Sequence, residues 1–246
     1  MDDEPGRVKT QTWGAAAAVA VRKLAIATLA GMIAGFIIGG IGGRLAMFLL
    51  ARLNPVATGV RSDDGFVMGQ FTILGTLNLL AVTTVVGAVG GGIYLAVRSL
   101  RIGPTWFRYA SVAAGAGVAV AAVIVQDGVD FTLLQPAILG IALFVAIPAL
   151  YAVLLQWIAE RWLDPGNALM TTRTFFVYLP ALILLPLVPL WVALGAGWGA
   201  AEHQRRSNSA VGAQIARVVP WIGRLILTLI FGIGITDLIS DVNTFA

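Results

Sequence analysis

Six stretches of nearly continuous apolar residues run along the chain, at 24–50, 73–97, 109–126, 133–158, 174–200 and 217–238. Each is close to or above the roughly 20 residues that a helix needs to cross a hydrocarbon core. None alternates with the period of two that a membrane β-strand requires, which excludes a β-barrel. Inside a bilayer the backbone groups of a segment must satisfy one another, so each stretch is expected to be a helix. The pattern predicts an all-α fold: a polytopic helical membrane bundle of six segments. A short polar N-terminal segment, 1–21, precedes a single transmembrane domain, 22–246. The first fourteen residues are too polar for a signal peptide, and the apolar run that follows is too long for a signal core, so it is expected to stay as a span.

Composition sharpens this picture. Hydrophobic residues make up 59% of the 246, charged residues only 11%, and the mean hydropathy is +0.90. Soluble domains carry about 25% charge, so a soluble enzyme on one anchor, a disordered chain and a nucleic-acid-binding domain are excluded. The pI near 10 does not reverse this, because the bases sit at segment ends and form no basic stripe with interleaved aromatics. No cysteine is present, and His203 is the one histidine. Fe–S clusters, Cys/His zinc sites and bis-His haem therefore lack ligands. No lysine lies within a segment, so a retinal Schiff base is not expected either, and no cofactor is evident. Fourteen of the 16 basic residues are arginine, which with abundant Ala, Val and Gly points to a GC-rich bacterial genome.

The bases also predict orientation. Arg7, Lys9, Arg22 and Lys23 precede segment 1, Arg98, Arg101 and Arg108 separate segments 2 and 3, and Arg161 and Arg173 separate segments 4 and 5. Bases prefer the cytoplasmic side, so the N-terminus is expected inside a bacterial cytoplasmic membrane. Segment 5 conflicts with this rule. If it crosses fully, Arg205 and Arg206 lie outside and the base-free tail inside. Pro180, Pro186 and Pro189 interrupt it, and proline removes a backbone donor and bends a helix. The base-rate expectation is an ordinary kinked span. The alternative is a re-entrant hairpin, with the C-terminus outside.

Small residues predict the packing. Gly31, Gly35, Gly39 and Gly43 recur every four residues on one face of segment 1, and Gly87 and Gly91 repeat the spacing in segment 2. Lipid offers helices no hydrophobic reason to associate, so such stripes let backbones approach closely. Packing within the chain is the first expectation, and a homodimer seam the alternative. A weak internal repeat pairs segments 1–2 with 3–4. Asp64-Gly65 and Asp127-Gly128 are followed by similar Phe-Thr-Ile/Leu-Leu stretches, and Tyr94 and Tyr151 stand near the far ends.

The candidate chemistry is acidic. Asp63 and Asp64, with Arg61, lie between segments 1 and 2, and Asp127 and Asp130 between segments 3 and 4. Asp237 and Asp241, four apart and so on one helix face, end segment 6. Oxygen ligands of this kind suit a divalent cation or a cationic ligand. The bland alternative is that Asp-Gly turns cap the following helices. Arg44 follows Gly43 inside an apolar run and needs the interface or a carboxylate partner, because arginine in hydrocarbon costs at least ~2.5 kcal/mol; Asp63, Asp64 and Asp130 are the candidates. Threonines 72, 76, 83 and 84 and Asn78 enter segment 2, where Thr commonly bonds its own helix backbone. Nucleotide-binding, hydrolase and metalloprotease motifs are all missing from the sequence. The expected function is therefore a non-catalytic accessory or scaffolding membrane subunit, in contact with lipid and with a membrane partner or a second copy. A small transporter or channel with an outer acidic site is the alternative. Catalysis by carboxylate pairs on a lipid-linked substrate is the weakest reading.

Overall fold

The computed structural model describes residues 13–57, 59–60, 67, 69–124, 135–171, 175–187, 189 and 210–245, with side chains of all but the least well placed of these. Among the described residues the chain is helical and contains no strand. Helix α1, Trp13–Ala34, continues without a break through a π-helical stretch, Gly35–Gly42, into α2, Gly43–Leu53. Helix α3 covers Ile73–Val97 and tightens into a 3-10 turn at Arg98–Leu100. Helices α4, Thr105–Ile124, and α5, Ala137–Trp162, follow. A short turn of helix, α6, Ala168–Thr171, precedes a 3-10 helix at Phe175–Leu187. The last helix, α7, is Ala210–Phe245. Five of these helices are long and apolar enough to cross a membrane, over Ala17–Leu53, Ile73–Leu100, Thr105–Ile124, Ile138–Trp162 and Val218–Ser240. That makes this a helical membrane protein.

Local chemistry sets the boundaries. Thr72 is extended, and its side chain accepts the Gly75 N–H at 3.2 Å, so α3 starts with a satisfied N-terminal donor. Helix α5 begins after Pro136, three to four residues later than the apolar pattern alone suggests, because proline disfavours helical geometry in the residue before it. It also runs four residues past the expected end at 158, carrying Glu160 inside the helix. The fifth apolar segment is described only in its first half. There Pro180 and Pro186 stand within a 13-residue 3-10 helix. Such runs rarely exceed three or four residues, and each proline withdraws a donor from the α-helical ladder.

The order of packing is α3, α1, α5, α4, α7, with the 3-10 helix laid on α1 and touching α3. The α1–α3 seam is built from glycine. A Cβ at Gly31 or at Gly87 would run into the other's carbonyl oxygen, and one at Gly91 into that of Ala27. The stripe Gly31, Gly35 and Gly39 therefore faces α3 of the same chain, over Gly87 and Thr83. Gly43, beyond the π-helical stretch, meets only Leu79, at 3.8 Å. The Gly43 N–H reaches the carbonyl five residues back, on Ile38, as well as those of Gly39 and Gly40. The second hairpin packs differently: Gly117 of α4 meets Val145 and Ala149 of α5 through side chains as well as backbone. The core lies between α1, α3 and α5, around Ile26, Ala30, Tyr94, Leu155, Ile158 and Ala159.

Helix α7 runs parallel to α4. Gly223 packs on Leu100, just before α4 begins, whereas Gly234 packs on Val118 and Ala122, and Leu238 on the pair Ala121–Ile141 near the other end. So α5 ends, and α7 begins, at the same end of the bundle.

Candidate functional site

Charge gathers at that shared end. Of the basic residues with described side chains, Arg22, Lys23, Arg98, Arg101, Arg108, Arg161 and Arg224 lie there, against Glu160 and Asp164. At its centre is Glu160, in the last turns of α5. Arg98 grips both of its oxygens, Nε on Oε1 at 2.9 Å and Nη2 on Oε2 at 2.8 Å. Arg101 and the Tyr94 hydroxyl also donate to Oε1. Arg101 is only 10% exposed; its other nitrogen donates to Gln156 Oε1 at 3.2 Å, and its guanidinium lies over the Tyr94 ring. Gln156, fully buried, returns its amide to the Tyr109 and Ala152 carbonyls. The sequence places these groups by spacing. Tyr94 and Arg98 are four apart on α3, and Gln156 and Glu160 four apart on α5, so each pair occupies one helix face. Where the two faces meet, one carboxylate answers two guanidinium groups, and the cluster keeps a net positive charge.

A second clamp joins α1 to the segment after α5. Arg22 donates from Nε and Nη2 to the Tyr178 hydroxyl, at 3.1 and 2.9 Å, and from Nη1 to the Met170 carbonyl at 2.6 Å. One arginine thus pins both α6 and the 3-10 helix to the core. Deeper in the bundle, the Tyr151 hydroxyl donates to the Gly87 carbonyl at 2.8 Å, and its ring lies over Gly90. Tyr94 and Tyr151, paired in the sequence as marks of a repeat, therefore do different work: one closes an ion cluster, the other ties α5 to the glycine seam.

At the opposite end of the bundle stand Asp237, Arg44 and Asn54. Asp63, Asp64, Arg61, Asp127 and Asp130 lie outside the described residues. Asp237 is exposed near the end of α7, beside Leu238, which packs on Ala121 and Ile141. Asp241 continues the same helix, with its side chain outside the described set. Arg44 is half-buried in the first turn of α2. It stands 21 residues after Lys23, which at helical rise is about 30 Å, the thickness of a hydrocarbon core. Asn54, which is buried, closes this end: its amide donates to the Leu50 carbonyl, and its Oδ1 accepts the Gln135 N–H at 2.7 Å. The threonines of α3 satisfy themselves, Thr76 on Thr72, Thr83 on Leu79 and Thr84 on Leu80, each through the helix's own carbonyls. Among the described residues no three His, Cys, Asp or Glu side chains come together.

Sequence reasoning treated Arg98 and Arg101 as markers of orientation and passed over Glu160 and Gln156. The available signal was a carboxylate and an amide one turn apart within an apolar segment. No known protein family, curated protein or solved structure matches the chain.

Proposed function

We propose that this chain is a non-catalytic accessory or scaffolding subunit of a bacterial cytoplasmic membrane, with its N-terminus in the cytoplasm. Helix α7 carries the reading. It meets the bundle along one face, at Gly223, Arg224, Gly234 and Leu238, and exposes Val218, Trp221, Leu225, Leu229 and Ile233. A helix so lightly held inside its own chain is suited to packing against a helix of another subunit or of a second copy. The ion cluster agrees with a structural role, since both Glu160 oxygens are engaged by Arg98, Arg101 and Tyr94. Purification from native membranes, with bound proteins identified by mass spectrometry, tests the reading. A stoichiometric membrane partner or a stable homo-oligomer is expected, and recovery as a monomer with lipid alone counts against it.

The shared end of α5 and α7 supports the re-entrant version of segment 5 over an ordinary crossing. This version leaves the arginines inside and carries Asp237 to the outer face. A cysteine at Ser207 should then react only from the cytoplasmic side, and one at Thr244 only from outside. The chain has no native cysteine, so each label reports one position. Asp237 would then join Asp63, Asp64, Asp127 and Asp130 on one face, which favours an outer cation site, and hence a small transporter, as the second reading. Replacing those four loop aspartates by asparagine should abolish any calcium- or magnesium-dependent rise in thermal stability. Wild-type melting that ignores both ions removes this reading.

A further inference from the structure

Two of the bases at the arginine end that lie outside the ion cluster are held by the loop before α4. Arg108 of α4 donates from Nε to the Gly103 carbonyl at 2.8 Å. Arg224 of α7 donates from Nε to the Leu100 carbonyl at 3.0 Å. Two helices thus anchor a guanidinium each on carbonyls three residues apart in one short loop. The loop's shape suits this: Gly103 has φ +83°, which a side chain would strain, and the Phe107 ring packs against it. Among the described residues neither arginine faces a carboxylate, because Glu160 is taken by Arg98 and Arg101. Among the described residues each arginine donates a hydrogen bond through Nε alone, which leaves its Nη edge to donate. Around the pair stand large rings of the kind that seat at headgroup level. Trp106 is 71% exposed and Trp221 64% exposed, and Arg224 lies over the Trp221 ring at 4.8 Å. Beyond them the exposed apolar side chains of α7, Ile222, Leu225 and Ile226 among them, offer a path for acyl chains.

We infer that Arg108 and Arg224, held by the 98–104 loop, form a binding site for the phosphate of an anionic phospholipid. The other arginines at this end are unsuited to it. Arg22 is spent on Tyr178 and Met170, Arg98 and Arg101 are spent on Glu160, and Arg161 lies over the exposed Trp157 ring. Juxtamembrane bases attract anionic lipid generally; here two of them are fixed in place by backbone carbonyls before the lipid arrives. The site needs only that this end of the bundle meet a membrane surface, whichever leaflet that is.

The test uses the full chain in detergent micelles doped with phosphatidylglycerol, with phosphatidylcholine, or with inorganic phosphate and no added lipid. Retained lipid is read by native mass spectrometry and stability by thermal unfolding. Wild-type protein should retain phosphatidylglycerol roughly tenfold over phosphatidylcholine and be stabilised by it. Arg108→Gln and Arg224→Gln should each reduce that preference about fivefold, whereas Arg161→Gln, an equal loss of charge at the same end, should leave it within about twofold. Three results overturn the site: no preference in the wild type, equal losses in all three variants, or stabilisation by phosphate alone equal to that by the lipid. Arg108 is exposed, so its variant tests the idea even if Arg224→Gln does not fold.

Discussion

The α1–α3 seam and the attachment of α7 both use glycine, and for opposite ends. At the seam, Gly31, Gly87 and Gly91 bring two backbones together so closely that a single added carbon would strike a carbonyl. Along α7, Gly232 has nothing within 4 Å of where a Cβ would stand, and at Gly234 the nearest atom is the Val118 side chain at 3.0 Å, with the backbone no closer than 3.6 Å. The first arrangement holds helices by close backbone contact and Cα–H···O approaches, which are strong only when many are made at once. The second leaves a whole helix to lipid or to a partner. Glycine in an apolar helix is therefore not a packing signal in itself; what matters is whether a second small residue faces it.

Substitutions can break this contrast, and they rank by size. Gly87→Val should be the most damaging: the branched side chain must enter the Gly31 backbone, at a cost of about 3 kcal/mol or more, and little folded protein should survive detergent extraction. Glu160→Gln comes next. It leaves Arg98 and Arg101 facing a neutral amide, and because the carboxylate is 30% exposed and Arg98 34% exposed, solvent reduces the loss to about 1–3 kcal/mol in thermal unfolding. Tyr151→Phe removes the one hydrogen bond from α5 to the glycine seam and should cost about 1 kcal/mol. Gly232→Ala should change stability by less than about 0.5 kcal/mol. If Gly232→Ala proved as damaging as Gly87→Val, α7 would be packed against an unseen partner during the measurement, and the contrast would belong to the monomer alone.

Much of the fold was legible. Continuous apolar runs could only be helices, and the runs located the middle three helices to within four residues, while the first and last helices extend seven to eleven residues beyond theirs. The faces able to approach closely were legible as well, since Gly31 and Gly35, and likewise Gly87 and Gly91, are spaced four residues apart. Glu160 was hidden by its surroundings: one acid beside Arg161, at the end of an apolar run, looks like an interfacial terminus. Its importance comes from Arg98 and Arg101, 62 and 59 residues away, and no local pattern encodes that pairing. The direction of α7 was hidden for a similar reason. Charge counting and the prolines of segment 5 pointed to a re-entrant turn, and only the base rate of ordinary spans stood against them.

By itself the sequence determined that the chain is an all-helical membrane protein, where most of its helices lie, and which faces can approach closely. These follow from local rules: backbone satisfaction in lipid, the length of a span and the period of a helix. Tertiary structure alone decided which glycines meet, that Glu160 closes a cluster with Tyr94 and two arginines, and that α7 runs alongside α4 from the arginine end. Each of these depends on contacts between residues far apart in the chain, where geometry in three dimensions chooses one partner among several that the sequence leaves equally suitable.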